Sequence, residues 1–370
     1  MRRTRPIERC FSRLRGLYDR LFSVREFQIL NRGTVILKNH YVDDFLGNLF
    51  WPRKPKQIGL HGGLGDVLLL LPFIRLYRMK YPRRKIQVIY TDVRTDRIDP
   101  KTYGLGATRL EQGPEGTVVN PTADILENVP FIDEKKGGDP TQADDYWIPD
   151  SVFRRRWGKY LTPSEYSELL FPDIFEEGDV KSASAFFEAH GLRDKFVIAF
   201  HFRRAADKIA ELYDIINSDV DSRGHVKCLC LGSSRNQIVP AIDMSHAIDL
   251  TDNYAKGIPL RTLYQILMKC RLFIGGRGSL EHFCWLARVP SINFMDEHAL
   301  GQDQNAFGTW IPEFWMQNRF TEVIHAETAV PLDVYERLIR PFYCEWRRLA
   351  RKDSRAETVT VHECHPIGGV

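Results

Sequence analysis

Carboxylates, cations and glycines meet in this chain at places where a strand gives way to a helix. The first is His61-Gly62-Gly63-Leu64-Gly65-Asp66. Glycines at such a turn let the backbone approach a ligand, and the open N–H groups of the helix start attract an anion. A dinucleotide fingerprint would read G-x-G-x-x-G, whereas here a carboxylate stands at the helix start and repels a pyrophosphate, which disfavours a dinucleotide at this turn. Asp66 reads in two ways, as a helix N-cap or, facing a cleft, as a general base. The local sequence by itself favours the cap.

The second stretch is Phe200-His201-Phe202-Arg203-Arg204, with Asp207-Lys208 close behind. It lies at the C-terminal end of a strand, where open α/β sheets bind ligands, and its cations can neutralise a diphosphate leaving group. The alternative is a solvated loop with a helix beginning at Asp207. The third stretch runs from Phe273 through Gly275-Gly276-Arg277-Gly278-Ser279-Leu280-Glu281-His282 to Ala287. The amides of Gly278 and Ser279 can meet a phosphate there, and Glu281 and His282 in the first helical turn can reach a cleft; alternatively the glycines serve only a tight connection. Asp219-Val220-Asp221 has the look of a metal-binding pair but falls at a helix end before Ser-Arg-Gly, so it reads as a turn. Ser233, Ser234 and Ser279 have no recognisable His/Asp partners, which argues against serine hydrolase chemistry.

The elements that must position these stretches alternate. Lys56–Leu60 reads as a strand, Asp66–Lys80 as an apolar helix stopped at Tyr81-Pro82, and Lys85–Thr91 as a second strand, a βαβ unit that implies a parallel sheet. Residues 93–150 carry short strands near Val118 and Trp147 among long loops. A second alternating set follows: helices over Val180–His190, Ile209–Asn217, Leu260–Lys269 and Ser279–Arg288, and strands over Phe196–His201, Val226–Leu231, Ala247–Leu250, Leu272–Ile274 and Ser291–Phe294. This gives an N-terminal domain over 1–178, a C-terminal domain over 179–330, a helix over 331–352 packing back across the cleft, and a tail over 353–370.

The chain has 370 residues, enough for two domains of ordinary size, and its 43% hydrophobic and 27% charged content is that of a folded globular protein. A net charge of +4 argues against a nucleic-acid binder. Positive charge is concentrated at the start: Arg2, Arg3, Arg5, Arg9, Arg13, Arg15, Arg20 and Arg25 face only Glu8 and Asp19 within the first 25 residues. Residues 5–22 read as an amphipathic helix that either anchors to an anionic membrane surface or packs its apolar stripe on protein. No apolar run reaches the roughly 18–20 residues of a membrane span, and the basic start lacks the apolar core of a secretory signal. Seven scattered cysteines suit reduced thiols in a cytoplasmic protein. His362, Cys364 and His365 read as a loose tail, so no metal site is expected.

The run from Gly62 to Pro82, with Gly-Asp, an apolar helix, Pro72 and Tyr81-Pro82, resembles the opening motif of the ADP-heptose:lipopolysaccharide heptosyltransferase family. Leu272–Asn293 resembles that family's late strand, glycine turn, His and Pro segment, and Leu229–Gly232, Leu250-Thr251 and Leu260–Leu263 its intervening elements. The likeness spans roughly 56–92 and 196–296. It implies a GT-B fold, two facing Rossmann-like α/β domains with parallel sheets and a cleft between them. It also implies inverting, metal-independent sugar transfer, without a cofactor, from a nucleoside diphosphate-sugar to a glycan or lipid-linked acceptor, as in lipopolysaccharide or cell-surface glycan synthesis at the inner face of a membrane. By that resemblance Asp66 is the base, on a loop of His61, Gly62, Gly63 and Gly65 that faces the acceptor. Arg203, Arg204, Lys208 and Arg277 are the phosphate partners, and Gly278, Ser279, Glu281 and His282 line the donor pocket. The family's late turn carries Asp-Ser/Thr-Gly where this chain has Arg277-Gly278-Ser279, a cation for a carboxylate, which bears on whether ADP-heptose is the donor. The His-x-Arg-Arg strand end is similar to that of GDP-fucose-dependent fucosyltransferases. A fucosyltransferase, a sugar-nucleotide epimerase and a catalytically idle nucleotide-sugar binder therefore stand as alternatives.

Overall fold

The computed structural model describes residues 55–60, 63–80, 82–91, 110–147, 175–203, 205–219, 224–232, 246–296 and 321–350. The basic segment 5–22, His61, Gly62, Arg204, and the tail with His362, Cys364 and His365 lie outside them.

The first lobe is built on a parallel sheet of order β5-β2-β1-β6, from β1 (Lys56–Leu60), β2 (Ile86–Thr91), β5 (Glu134–Gly138) and β6 (Asp145–Trp147). A small antiparallel hairpin of β3 (Glu111–Gln112) and β4 (Val118–Val119) stands beside it. Helix α1 (Leu64–Lys80) follows β1, and α2 (Pro121–Leu126) follows the hairpin. The second sheet is also parallel, of order β12-β11-β10-β7-β8-β9, from β7 (Phe196–His201), β8 (Val226–Gly232), β9 (Ala247–Thr251), β10 (Leu272–Gly276), β11 (Ser291–Met295) and β12 (Thr321–His325). Its helices are α3 (Glu177–Ala189), α4 (Ala206–Ser218), α5 (Leu260–Lys269), α6 (Ser279–Leu286) and a C-terminal α7 over 331–350 whose second turn, Tyr335–Ile339, is π-helical. The expected α/β architecture with parallel sheets is present.

In the second sheet the chain runs outward from β7 through β8 and β9, then returns to the other side of β7 for β10, β11 and β12. That is the order of doubly wound nucleotide-binding sheets, and its switch point falls between β7 and β10. The first sheet reverses likewise between β1 and β6. Both switch points open where the C-terminal strand ends feed α1, the Arg203 loop and α6.

Helix α1 is apolar all round because it is buried all round: Val67 to Leu71, Phe73, Ile74, Leu76 and Tyr77 have almost no exposure. One apolar core extends from β1 and β2 through α1 into α3, α5 and α6. A second cluster covers the outer face of the second sheet. Within β7 the faces alternate: Phe196, Ile198 and Phe200 enter the outer cluster, while Val197 and Ala199 face the shared core.

Helix α7 packs through Tyr335, Ile339 and Tyr343 into the outer cluster, with Phe342, Tyr343 and Trp346 around the Phe196 ring. It thus lies on the second lobe rather than packing back across the cleft, because its aromatic stripe matches the apolar outer face of β7. Asp219 ends α4 and accepts a hydrogen bond from the Tyr335 hydroxyl, so it is spent on structure, while Val220 and Asp221 lie outside the described residues. Cys228, Cys230, Cys270 and Cys284 are buried free thiols, and Cys344 is free and exposed. Among the described residues no helix is long and apolar enough to cross a membrane, and no His/Cys/Asp/Glu group could hold a metal ion.

A buried polar contact ties the lobes together. Asp124, on α2, accepts from the Leu260 backbone N–H at 2.7 Å and from the Tyr254 hydroxyl at 2.8 Å, and its other oxygen lies 3.5 Å from Arg261 Nε. The carboxylate thereby caps α5 from the opposite lobe. Burial and then Asp124 push the Tyr254 hydroxyl far above its ordinary range, so it acts as a fixed donor. Asp124→Ala leaves the Leu260 N–H and the Tyr254 hydroxyl without their acceptor in a buried place and takes one of three carboxylates from around Arg261. The expected loss is about 3–5 kcal/mol in urea unfolding. A loss under about 1 kcal/mol, the range of exposed pairs, would show that the contact does not hold the lobes.

Candidate active site between the lobes

The N-termini of α1 and α6 meet head to head. A Cβ added to Gly65 would lie 3.2 Å from His282 Nδ1 and 3.5 Å from Ser279 Cα, so the two turns approach to within a side chain's contact distance. Each helix starts with the same device. Gly63 donates its N–H to Asp66 Oδ2 at 3.0 Å, and Gly278 donates its N–H to Glu281 Oε2 at 3.1 Å. Asp66 is therefore not the N-cap itself. The helix begins at Leu64, two residues earlier than the apolar pattern suggests, and Asp66 is its third residue, returning a bond to the capping glycine.

The two carboxylates differ in what surrounds them. Glu281 has no exposure and also accepts from Asn293 Nδ2 at 3.5 Å. It is not among the residues lining the cavity and serves to hold the turn at Gly278. Asp66 is half-buried. Burial raises its pKa to about 6, against the Gly63 N–H bond and the nearby Arg277 guanidinium, which both lower it. A carboxylate tuned in this way is ionised at pH 7 yet a stronger base than an ordinary aspartate.

Opposite Asp66 stand cations and neutral imidazoles. Arg203 lies close enough to Gly278 that a Cβ there would sit 3.1 Å from its Nη1 and 3.5 Å from His201 Cε1. His282 donates from Nδ1 to the Gly278 carbonyl at 2.6 Å. Burial lowers its pKa to about 4, against the raising effect of that bond and with further lowering by Arg277 and Arg203. His201 is lowered to about 3, by burial and then by Arg203. Both rings are thus uncharged at neutral pH, which leaves the positive charge to the arginines and the helix starts.

A cavity of about 190 Å³ opens here, lined from the first lobe by Leu64, Glu111, Gln112 and Pro121 and from the second by residues that include His201, Arg203, Asp252, Tyr254 and Ser279. Two of its flanks hold non-glycine residues in the left-handed region: Ala205, which precedes α4, at φ 51°, and Asp252 at φ 51°. Such conformations cost energy and persist where packing holds them. Asp249 secures the second: it accepts from the Thr251 N–H at 2.9 Å and pairs with Lys256 Nζ at 2.8 Å.

The structure thus brings Asp66, Gly63, Gly65, Arg203, Arg277, Gly278, Ser279 and His282 together. Lys208 is half-buried on α4 and does not line the cavity. His201, Glu111, Gln112 and the Asp252–Ala255 turn join the site without having been assigned to it from the sequence. The position of Asp252 just after a strand end is the one signal that could have indicated the turn. Nothing local distinguishes Glu111.

No family model and no curated protein matches the chain. Among solved structures it is similar to a family 9 glycosyl transferase from Veillonella parvula, with 14% identity, 77% of this chain and 88% of that chain covered, and a TM-score of 0.45. It is similar to Escherichia coli ADP-heptose lipopolysaccharide heptosyltransferase II, with 12% identity, 79% and 99% covered, and a TM-score of 0.48. It is also similar to an Escherichia coli heptosyltransferase with ADP, at 12% identity, 76% and 98% covered, and a TM-score of 0.37.

Proposed function

We propose that this chain is a glycosyltransferase that moves a sugar from a nucleoside diphosphate-sugar to a hydroxyl of a glycan or lipid-linked acceptor. The observation that carries the reading is the head-to-head meeting of α1 and α6, which sets a carboxylate with a pKa of about 6 from one lobe against the arginines and open helix start of the other. In this reading the Asp66 carboxylate takes the proton of the acceptor hydroxyl. The freed oxygen attacks the anomeric carbon, and the bond from that carbon to the phosphate oxygen breaks, its electron pair leaving on the nucleoside diphosphate. Arg203 and Arg277, with Arg204 as a further partner, and the Ser279 end of α6 meet the charge that develops. Attack from the side opposite the leaving group inverts the anomeric centre, and protein cations take the place a metal ion would fill. The arginine-rich segment 5–22 fits an anionic membrane surface, which would hold the enzyme beside a lipid-linked acceptor on the cytoplasmic face.

One observation favours a second reading, a nucleotide-sugar binder without transfer. Asp66 already has a structural partner in Gly63 and does not line the cavity. Nucleotide binding without turnover across a broad acceptor panel would establish that reading.

Asp66→Asn separates the two, since the amide oxygen still accepts the Gly63 N–H while basicity is gone. The expected result is a roughly hundred- to ten-thousandfold fall in kcat with donor Kd unchanged; turnover at the normal rate would sink the assignment. The wild-type rate should rise with pH through an apparent pKa near 6. Stability should move the other way. The folded state keeps a proton that the unfolded chain releases above about pH 4, so stability falls as pH rises from about 4 to 6, by up to about 3 kcal/mol, and is level above. Urea unfolding of Asp66→Asn should lack that fall, and parallel wild-type and variant curves would contradict the raised pKa.

A further inference from the structure

The cavity is polar in opposite senses at its two ends. Along the second sheet its lining follows the strand order. Ser279, after β10, and His201 and Arg203, at the end of β7, supply donors and positive charge; Gly232 ends β8; Asp252, Asn253 and Tyr254 follow β9. From β7 to β9 is two strand spacings, about 10 Å. At the β9 end the first lobe contributes Glu111 and Gln112, and Pro121, Leu260 and Leu263 supply apolar walls.

A separate observation marks the cavity as a ligand site. His201 is 6% exposed, and its Nδ1 is buried with no hydrogen-bond partner, although the residue lines the cavity. A buried ring nitrogen without a partner is costly unless a ligand supplies one.

We propose that the β9 end of the cavity selects a guanine base, read by the carboxylates of Glu111 and Asp252, in a ligand whose diphosphate lies over His201, Arg203 and the start of α6. The inference rests on the nucleoside diphosphate reading above and narrows it. Carboxylates only accept, so the matching edge must present adjacent donors. Guanine does so with N1–H beside its N2 amine. Adenine and cytosine set a ring-nitrogen lone pair beside their amine, and uracil flanks one N–H with two carbonyls. The ribose diol also donates, but its carbons are only the third and fourth from the phosphate ester oxygen, closer to the phosphate than a site two strands away. The apolar lining of Pro121, Leu260 and Leu263 suits a base better than a diol.

Calorimetric titration of the full chain with guanosine, inosine, adenosine and uridine diphosphates and with pyrophosphate tests this. Guanosine diphosphate should bind at least roughly tenfold tighter than the adenosine and uridine compounds, with inosine diphosphate, which lacks the N2 amine, in between. Glu111→Gln and Asp252→Asn should each weaken guanosine diphosphate roughly ten- to hundredfold and leave pyrophosphate unchanged. Asn tolerates the left-handed backbone of position 252, so the second variant keeps its turn. His201→Asn should weaken guanosine diphosphate and pyrophosphate alike. Equal binding of adenosine or uridine diphosphate, or full guanosine diphosphate affinity in both carboxylate variants, overturns the base assignment and leaves the nucleotide reading standing. A folded wild-type chain that binds none of the five compounds overturns both.

Discussion

The contact on which the rest depends is the approach of Gly65 to Ser279 and His282. A Cβ at position 65 would press to 3.2 Å on an imidazole that the Gly278 carbonyl already holds, which would have to give by a few tenths of an ångström. The close approach lets α1 be buried on every side and joins the lobes through one apolar core. It also turns two topological switch points toward the same space. Domain architecture and candidate site are therefore consequences of one packing event.

That packing creates an electrostatic difficulty, since two helix N-termini with like partial charges face each other. Asp66 and Glu281 answer it by the same bond to a capping glycine. Their surroundings then separate them. Glu281 is enclosed and hydrogen-bonded from two sides, so it is structural, while Asp66 remains half-buried beside Arg277 with a raised pKa. The imidazoles of His201 and His282 stay neutral among arginines, so the charge contrast across the site lies between carboxylate and guanidinium.

Much of the fold was legible from local pattern. Phe196–His201 and Leu260–Lys269 fall on the expected residues, because a continuous apolar run bounded by polar turns suits a central parallel strand and period-3.6 spacing suits an amphipathic helix. Glu134–Gly138 was not legible: an edge strand reading Glu-Lys-Lys-Gly-Gly buries little and carries no alternation. Nor was the path of α7, whose amphipathic face shows that it packs but not on what.

By itself the sequence determined the alternation of strands and helices, the parallel sheets that follow from it, and the strand-to-helix turns that carry Asp66, Arg203 and Ser279, because periodicity and glycine placement are local properties. Tertiary structure alone decided that those turns converge, that Asp66 stays half-buried while Glu281 is enclosed, and that Glu111 and Asp124 reach the second lobe. Burial, pKa and cross-lobe contact depend on what the rest of the chain brings alongside, over separations of more than a hundred residues, as between Asp124 and Leu260.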